Sequence, residues 1–149
     1  MRAVAQRVRS ASVRVAGEEV ASMGVGLLTL VGVGSDDGPE DASELARRLV
    51  HLRVFADAQG RMNRSLLEVG GTLGLVSQFT LFGDARQGRR PSFTGAAAAE
   101  VAEPLLARLA EAARAEGASV VTGRFGAHMD VSLVNAGPVT LLIDTRRAF

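Results

Sequence analysis

Apolar and polar residues alternate through residues 3–8 and again through 11–15, the period-two pattern of half-buried strands, and predict two antiparallel strands. Ala16-Gly17-Glu18 supplies a turn signal, after which a short strand over residues 19–23 and a longer central one over 25–33 complete a meander. Ser35-Asp36-Asp37-Gly38-Pro39-Glu40 then combines capping side chains, a proline suited to a first helical turn and acidic groups that favour the positive end of the helix dipole. Ala42, Leu45, Ala46, Leu49 and Leu52 recur at helical spacing, so a helix with one apolar face should run to about His51 or Arg53. Between residues 54 and 71 the pattern lapses, with turn signals at 57–60 and at Gly70-Gly71.

The apolar stretch TLGLVSQFTLF, residues 72–82, predicts a buried strand over 73–78. A loop over 83–93, with three arginines, two glycines and a proline, precedes an Ala-rich helix that should end near Gly117. Pro104 is easiest to place in that helix's first turn, which puts the start near residues 100–103. Leu105, Leu106, Leu109 and Ala113 form its apolar face. Short strands over 119–122, 131–134 and 139–144 close the chain, the last two separated by Asn135-Ala136-Gly137-Pro138. This order predicts an α+β fold, mostly antiparallel sheet with two main helices packed on one face, in a single domain over residues 1–149.

Composition narrows the chemistry. The 149 residues are 47% apolar and 22% charged, the balance of a folded globular chain. Cysteine is absent, which removes disulfides, thiolate nucleophiles and Cys-ligated metals and fits a reducing cytoplasm. All basic residues are arginine, so lysine bases and Schiff-base chemistry are excluded, and the cations are left to bind, pair or stabilise charge. A net charge of +1 announces no nucleic-acid partner, and any basic footprint must come from local clustering. The N-terminal stretch lacks the continuous apolar run of a signal peptide, and residues 25–33 are far short of the roughly 20 needed to cross a bilayer. Localisation is therefore expected to be cytoplasmic.

No familiar catalytic motif stands out. His51 and His128 are the only imidazoles; His128 and Asp130 could share one side of a strand and hold a divalent ion, or be an exposed histidine beside an acid. Gly24-Val25-Gly26 and Gly32-Val33-Gly34 lack the rest of a phosphate-binding loop, and Ser77 lies in no GxSxG elbow. Two segments nevertheless interrupt buried apolar sequence with polar groups. In Ser77-Gln78-Phe79-Thr80-Leu81, backbone N–H groups leaving the ladder would be free for an oxyanion; alternatively the hydroxyls cap the strand end. The Gly137-Pro138 pair can hold a cis peptide with both carbonyls turned one way, or be an ordinary turn.

Taken together, SQFTL, NAGPVT, the opening MRAVAQRV, MNRSLLEVGG and GRFGAHMDVSLV resemble the D-aminoacyl-tRNA deacylase family nearly end to end. Phe82, where that pattern often has tyrosine, and His128 and Ala136, where it often has an acid, depart from it. The resemblance implies a homodimer that hydrolyses the ester joining a D-amino acid to the terminal adenosine of tRNA, without cofactor or metal. It implies that Ser77, Gln78, Phe79 and Thr80 line the site for adenosine and ester, and that Gly137-Pro138 is a cis pair reaching into the partner's site. Arg7 would hold that pair, and Phe125 and Met129 would wall the pocket. Arg86, Arg89 and Arg90 are candidates for tRNA phosphates, or for a solvated loop. A nucleic-acid-binding module without chemistry and a metal-dependent esterase built on His128 and Asp130 are the rival readings.

Overall fold

The computed structural model describes residues 1–148. Its first strand, β1 (Arg2–Val15), runs unbroken where the alternation predicted two strands. Arg9-Ser10 offers no glycine, proline, asparagine or aspartate to turn on, and the break in alternation is absorbed by register shifts against the last strand, at Gln6/Val8 and Val8/Ser10. Ala3 and Ala5 consequently face one side of the sheet and Val8, Ala11 and Val13 the other, the behaviour of a bulge and not of a hairpin. The strands β2 (Glu18–Met23) and β3 (Gly26–Gly32) both lie antiparallel to β1, on the same edge.

α1 (Pro39–His51) starts as its sequence predicts: Pro39 occupies the first turn, and the Asp41 carboxylate accepts the Gly38 N–H at 3.0 Å. A small hairpin, β4 (Phe55–Ala56) and β5 (Met62–Arg64), fills the patternless stretch. Next come β6 (Thr72–Ser77), α2 (Ala99–Ala115) and β7 (Ser119–Thr122), with β6 parallel to β3 and β7 parallel to β6. Gly26 permits the first of these junctions, because a Cβ there would stand 1.9 Å from the Thr72 carbonyl oxygen. The six-stranded sheet is thus mostly antiparallel, with two parallel junctions at one side.

α2 corrects one expectation. It begins at Ala99 and carries Pro104 in its interior, past the first turn, because the alanines around it favour helix strongly enough to absorb one missing N–H. The final strand corrects another: β8 (Asp130–Asp144) passes straight through Asn135 to Pro138, with no turn between two strands. It lies antiparallel along β1 from Arg14↔Asp130 to Arg2↔Asp144.

Both helices cover the same face. Leu45, Leu49, Leu105 and Leu109 pack with Ala3, Ala5, Leu27 and Leu73 in the main core. A smaller cluster around Val8, Val13, Leu28 and Val76 lies on the opposite face. Among the described residues no helix is long and apolar enough to cross a membrane.

Candidate active site

The parallel strands β3 and β6 end together, and the site forms where they stop. Gln78 keeps the ladder one residue further, donating its N–H to the Val31 carbonyl at 2.7 Å. The chain then winds into a single 3-10 turn over Phe79–Phe82, closed by the Leu81 N–H on the Gln78 carbonyl and the Gly83 N–H on the Thr80 carbonyl. The N–H groups that open such a turn, those of Phe79 and Thr80, have no acceptor within it. The Gln78 side-chain amide donates to Thr80 Oγ1. Phe79 is 57% exposed and meets the Phe93 ring edge-on at 5.2 Å between centroids.

A cavity of about 480 Å³ adjoins this turn. Ser77, Gln78 and Phe79 form one wall, and Phe125, His128 and Met129 form another. Ala99, Ala102 and Leu106 of α2 provide an apolar floor; helical periodicity had assigned Leu106 only to packing and gave the two alanines no role. His128 also escaped sequence reasoning as a member of this wall; it is exposed, and no third His, Asp or Glu joins it and Asp130 among the described residues. His51 lies elsewhere, its Nε2 2.8 Å from Glu116 Oε2. Gly123 lets the wall close, since a Cβ on it would approach Met129 Sδ to 2.7 Å.

Gly137 and Pro138 do not line this cavity within one chain. Their peptide is cis, and both residues are exposed on β8. The surrounding backbone is laced to β1: Arg7 Nε donates to the Ala136 carbonyl at 3.1 Å and its Nη1 to the Val54 carbonyl. Asn135 Nδ2 donates to the Arg7 carbonyl at 3.0 Å and to the Val139 carbonyl at 3.1 Å. Arg7 is thereby a tether for the segment. Asn135 is a second tether, legible in the sequence only as a turn residue.

The arginine loop stands apart. Asp84 and Ser92 exchange backbone hydrogen bonds, each 2.8 Å, and pinch it into a hairpin. Arg86 grips Asp84 through Nε at 2.9 Å and Nη2 at 2.6 Å, and these bonds hold the Asp84 carboxyl far below the usual range. Arg89 and Arg90 are exposed at the tip, and among the described residues neither makes an ion pair.

A family model described as D-Tyr-tRNA(Tyr) deacylase matches residues 4–144. A D-aminoacyl-tRNA deacylase of Thermosipho africanus is 51% identical over 149 residues, covering all of both chains. One of Chloroflexus aurantiacus is 57% identical over 145 residues, 97% of this chain and 91% of that one. Among solved structures, a c-Myc DNA unwinding element binding protein superposes with a TM-score of 0.91 at 35% identity over 97% of this chain and 98% of its own. A probable eukaryotic D-amino acid tRNA deacylase, 20% identical, shares the fold at a TM-score of 0.81 over 95% of this chain and 97% of its own. With the family model matching residues 4–144 and relatives matching along its whole length, the chain belongs to the D-aminoacyl-tRNA deacylase family.

Proposed function

We infer that the chain hydrolyses the ester of D-aminoacyl-tRNA, releasing the amino acid and the tRNA 3′ end, a proofreading step in translation. The observation that carries this reading is the pair of N–H groups opening the 3-10 turn at Phe79 and Thr80, beside a cavity walled by Phe125 and Met129. An aminoacyl ester is already activated. Water adds to its carbonyl carbon, the charge that develops on oxygen is received by those N–H donors, and the bond to the ribose oxygen then breaks as that oxygen takes up the proton the water gives up. The neighbouring ribose 2′-OH positions the water, so no side-chain nucleophile is required. In this reading Ser77 and Gln78 shape the same wall, and the adenosine occupies the cavity.

Chirality is assigned to the partner subunit of a homodimer. Among the described residues β8 pairs with β1 alone, leaving its outer edge open, and Val134 and Leu142 are 52% and 65% exposed on the strand. A long open edge with apolar side chains is the kind of surface that a second copy covers. Across such a dimer the Gly137 and Pro138 carbonyls, tethered by Arg7 and Asn135, would meet an L side chain and spare a D one. Glycine, having no side chain to exclude, would also be cleaved. Arg89 and Arg90 are free to approach acceptor-stem phosphates, whereas Arg86 must first give up Asp84.

Purified protein supplied with matched D- and L-aminoacyl-tRNA tests the reading. Rapid loss of the D ester with the L ester surviving is the expected result; an intact D ester bound by the protein would identify a binding module instead.

A further inference from the structure

Beside the ester cavity lies a second groove of about 340 Å³, between α2 and the edge strand β7. Ser77, Leu106 and Phe125 line both spaces, so the two are neighbours across shared walls. The groove adds two charged side chains, Glu103 from α2 and Arg124 from the segment after β7. They are opposite in charge and border one groove, yet among the described residues neither makes an ion pair or a side-chain hydrogen bond. A carboxylate and a guanidinium left unspent in this way offer acceptors and donors to a ligand that presents both.

We propose that this groove receives the base of the nucleotide preceding the terminal adenosine, and that Glu103 and Arg124 recognise it as cytosine. The inference rests on the deacylase reading, which puts the terminal adenosine in the adjoining cavity and makes the preceding nucleotide, a cytidine in every mature tRNA, the next group along the strand. Cytosine presents an amino donor at N4 beside acceptors at N3 and O2. A carboxylate accepts from N4, as it does in nucleic-acid recognition generally, while a guanidinium donates to N3 and O2. The Phe125 ring supplies an aromatic surface of the type on which unpaired bases stack. Uracil would set a carbonyl against Glu103 and an N–H against Arg124, so the same pair that favours cytosine rejects uracil.

Three substrates carrying the same D-amino acid test this: tRNA ending in C-A, tRNA chemically charged after replacement of that cytidine by uridine, and the minimal D-aminoacyl-adenosine. Wild-type protein should hydrolyse the C-A substrate with a kcat/KM about tenfold above the U-A substrate, as expected for losing a base-specific contact pair. Because the contact is remote from the ester, the difference should fall on KM and leave kcat nearly unchanged. Glu103→Ala and Arg124→Ala should each erase the preference while cleaving D-aminoacyl-adenosine at the wild-type rate, a control for folding and for the ester site. Equal use of both tRNAs by the wild type, or a preference that survives in both variants, overturns the proposal. Failure of the wild type to cleave D-aminoacyl-adenosine and both tRNAs would strike instead at the deacylase reading beneath it.

Discussion

Thr80 is the hydroxyl most easily mistaken for a nucleophile. Its Oγ1 is occupied as the acceptor of the Gln78 amide, and among the described residues no imidazole or carboxylate bonds to it to withdraw its proton. Thr80→Ala keeps the backbone N–H and should hold kcat within about tenfold of wild type, whereas losing an oxyanion donor costs about 10²–10³. Single-turnover assays decide, and a trapped Thr80 ester would refute the view. Elsewhere, Thr29 is fully buried in β3, and among the described residues its Oγ1 has no hydrogen-bond partner. Thr29→Val replaces that hydroxyl with a methyl of similar shape and should raise stability by about 1 kcal/mol, read as a higher urea midpoint at unchanged slope. At this scale the candidate site was partly legible. Ser77, Gln78 and Thr80 announced themselves as polar interruptions of an apolar run. Ala99, Ala102 and Leu106 did not, because a side chain that lines a cavity and one that fills a core obey the same helical period.

Secondary structure was legible in type and less so in extent. α1 carries its own start signals and forms where they predict. β1 and β8 were each divided in two because a lapse in alternation and a Gly-Pro pair resemble boundaries, while a partner strand alongside can carry either without a break. The two long strands accommodate each other's irregularities, a long-range cause that no local window contains. Pro104 shows the same override within a helix. Its ring removes one hydrogen bond inside α2 without ending it, so the penalty should still be present in the folded protein. Pro104→Ala should restore that bond and raise stability by about 1–3 kcal/mol, seen as an increased thermal midpoint with unchanged secondary-structure content.

The molecule as a whole raises two questions that single residues do not. One is how it holds tRNA: with Arg89 and Arg90 both replaced by alanine, the log–log salt dependence of tRNA affinity should flatten by about two units, while an unchanged slope would leave the loop a solvated surface. The other is whether one chain contains a complete site. Ser77 to Thr80 and Gly137-Pro138 belong to different regions of the surface, and only the first of these segments contributes to the cavity beside the 3-10 turn of its own chain. Two variants separate the halves. Phe79→Pro removes a donor at the first position of the 3-10 turn, where a proline's missing N–H breaks no hydrogen bond of the turn itself. Gly137→Ala adds a Cβ whose nearest neighbour in its own chain beyond the adjacent residues is Asn135 Oδ1 at 3.4 Å, an ordinary contact, so it should fold yet intrude on the site of a second subunit. Each variant alone should lose activity. If the site is shared, mixed and reassociated chains form hetero-pairs in which the native turn of one chain meets the native Gly137 of the other, while the second site carries both lesions. Random pairing makes about half the dimers mixed, each with one working site, so specific activity should return to about a quarter of wild type. A mixture no more active than its parts would show that each chain works alone, and chirality would then have to be read by the walls of the single cavity, with Phe125 and Met129 as the first residues to vary.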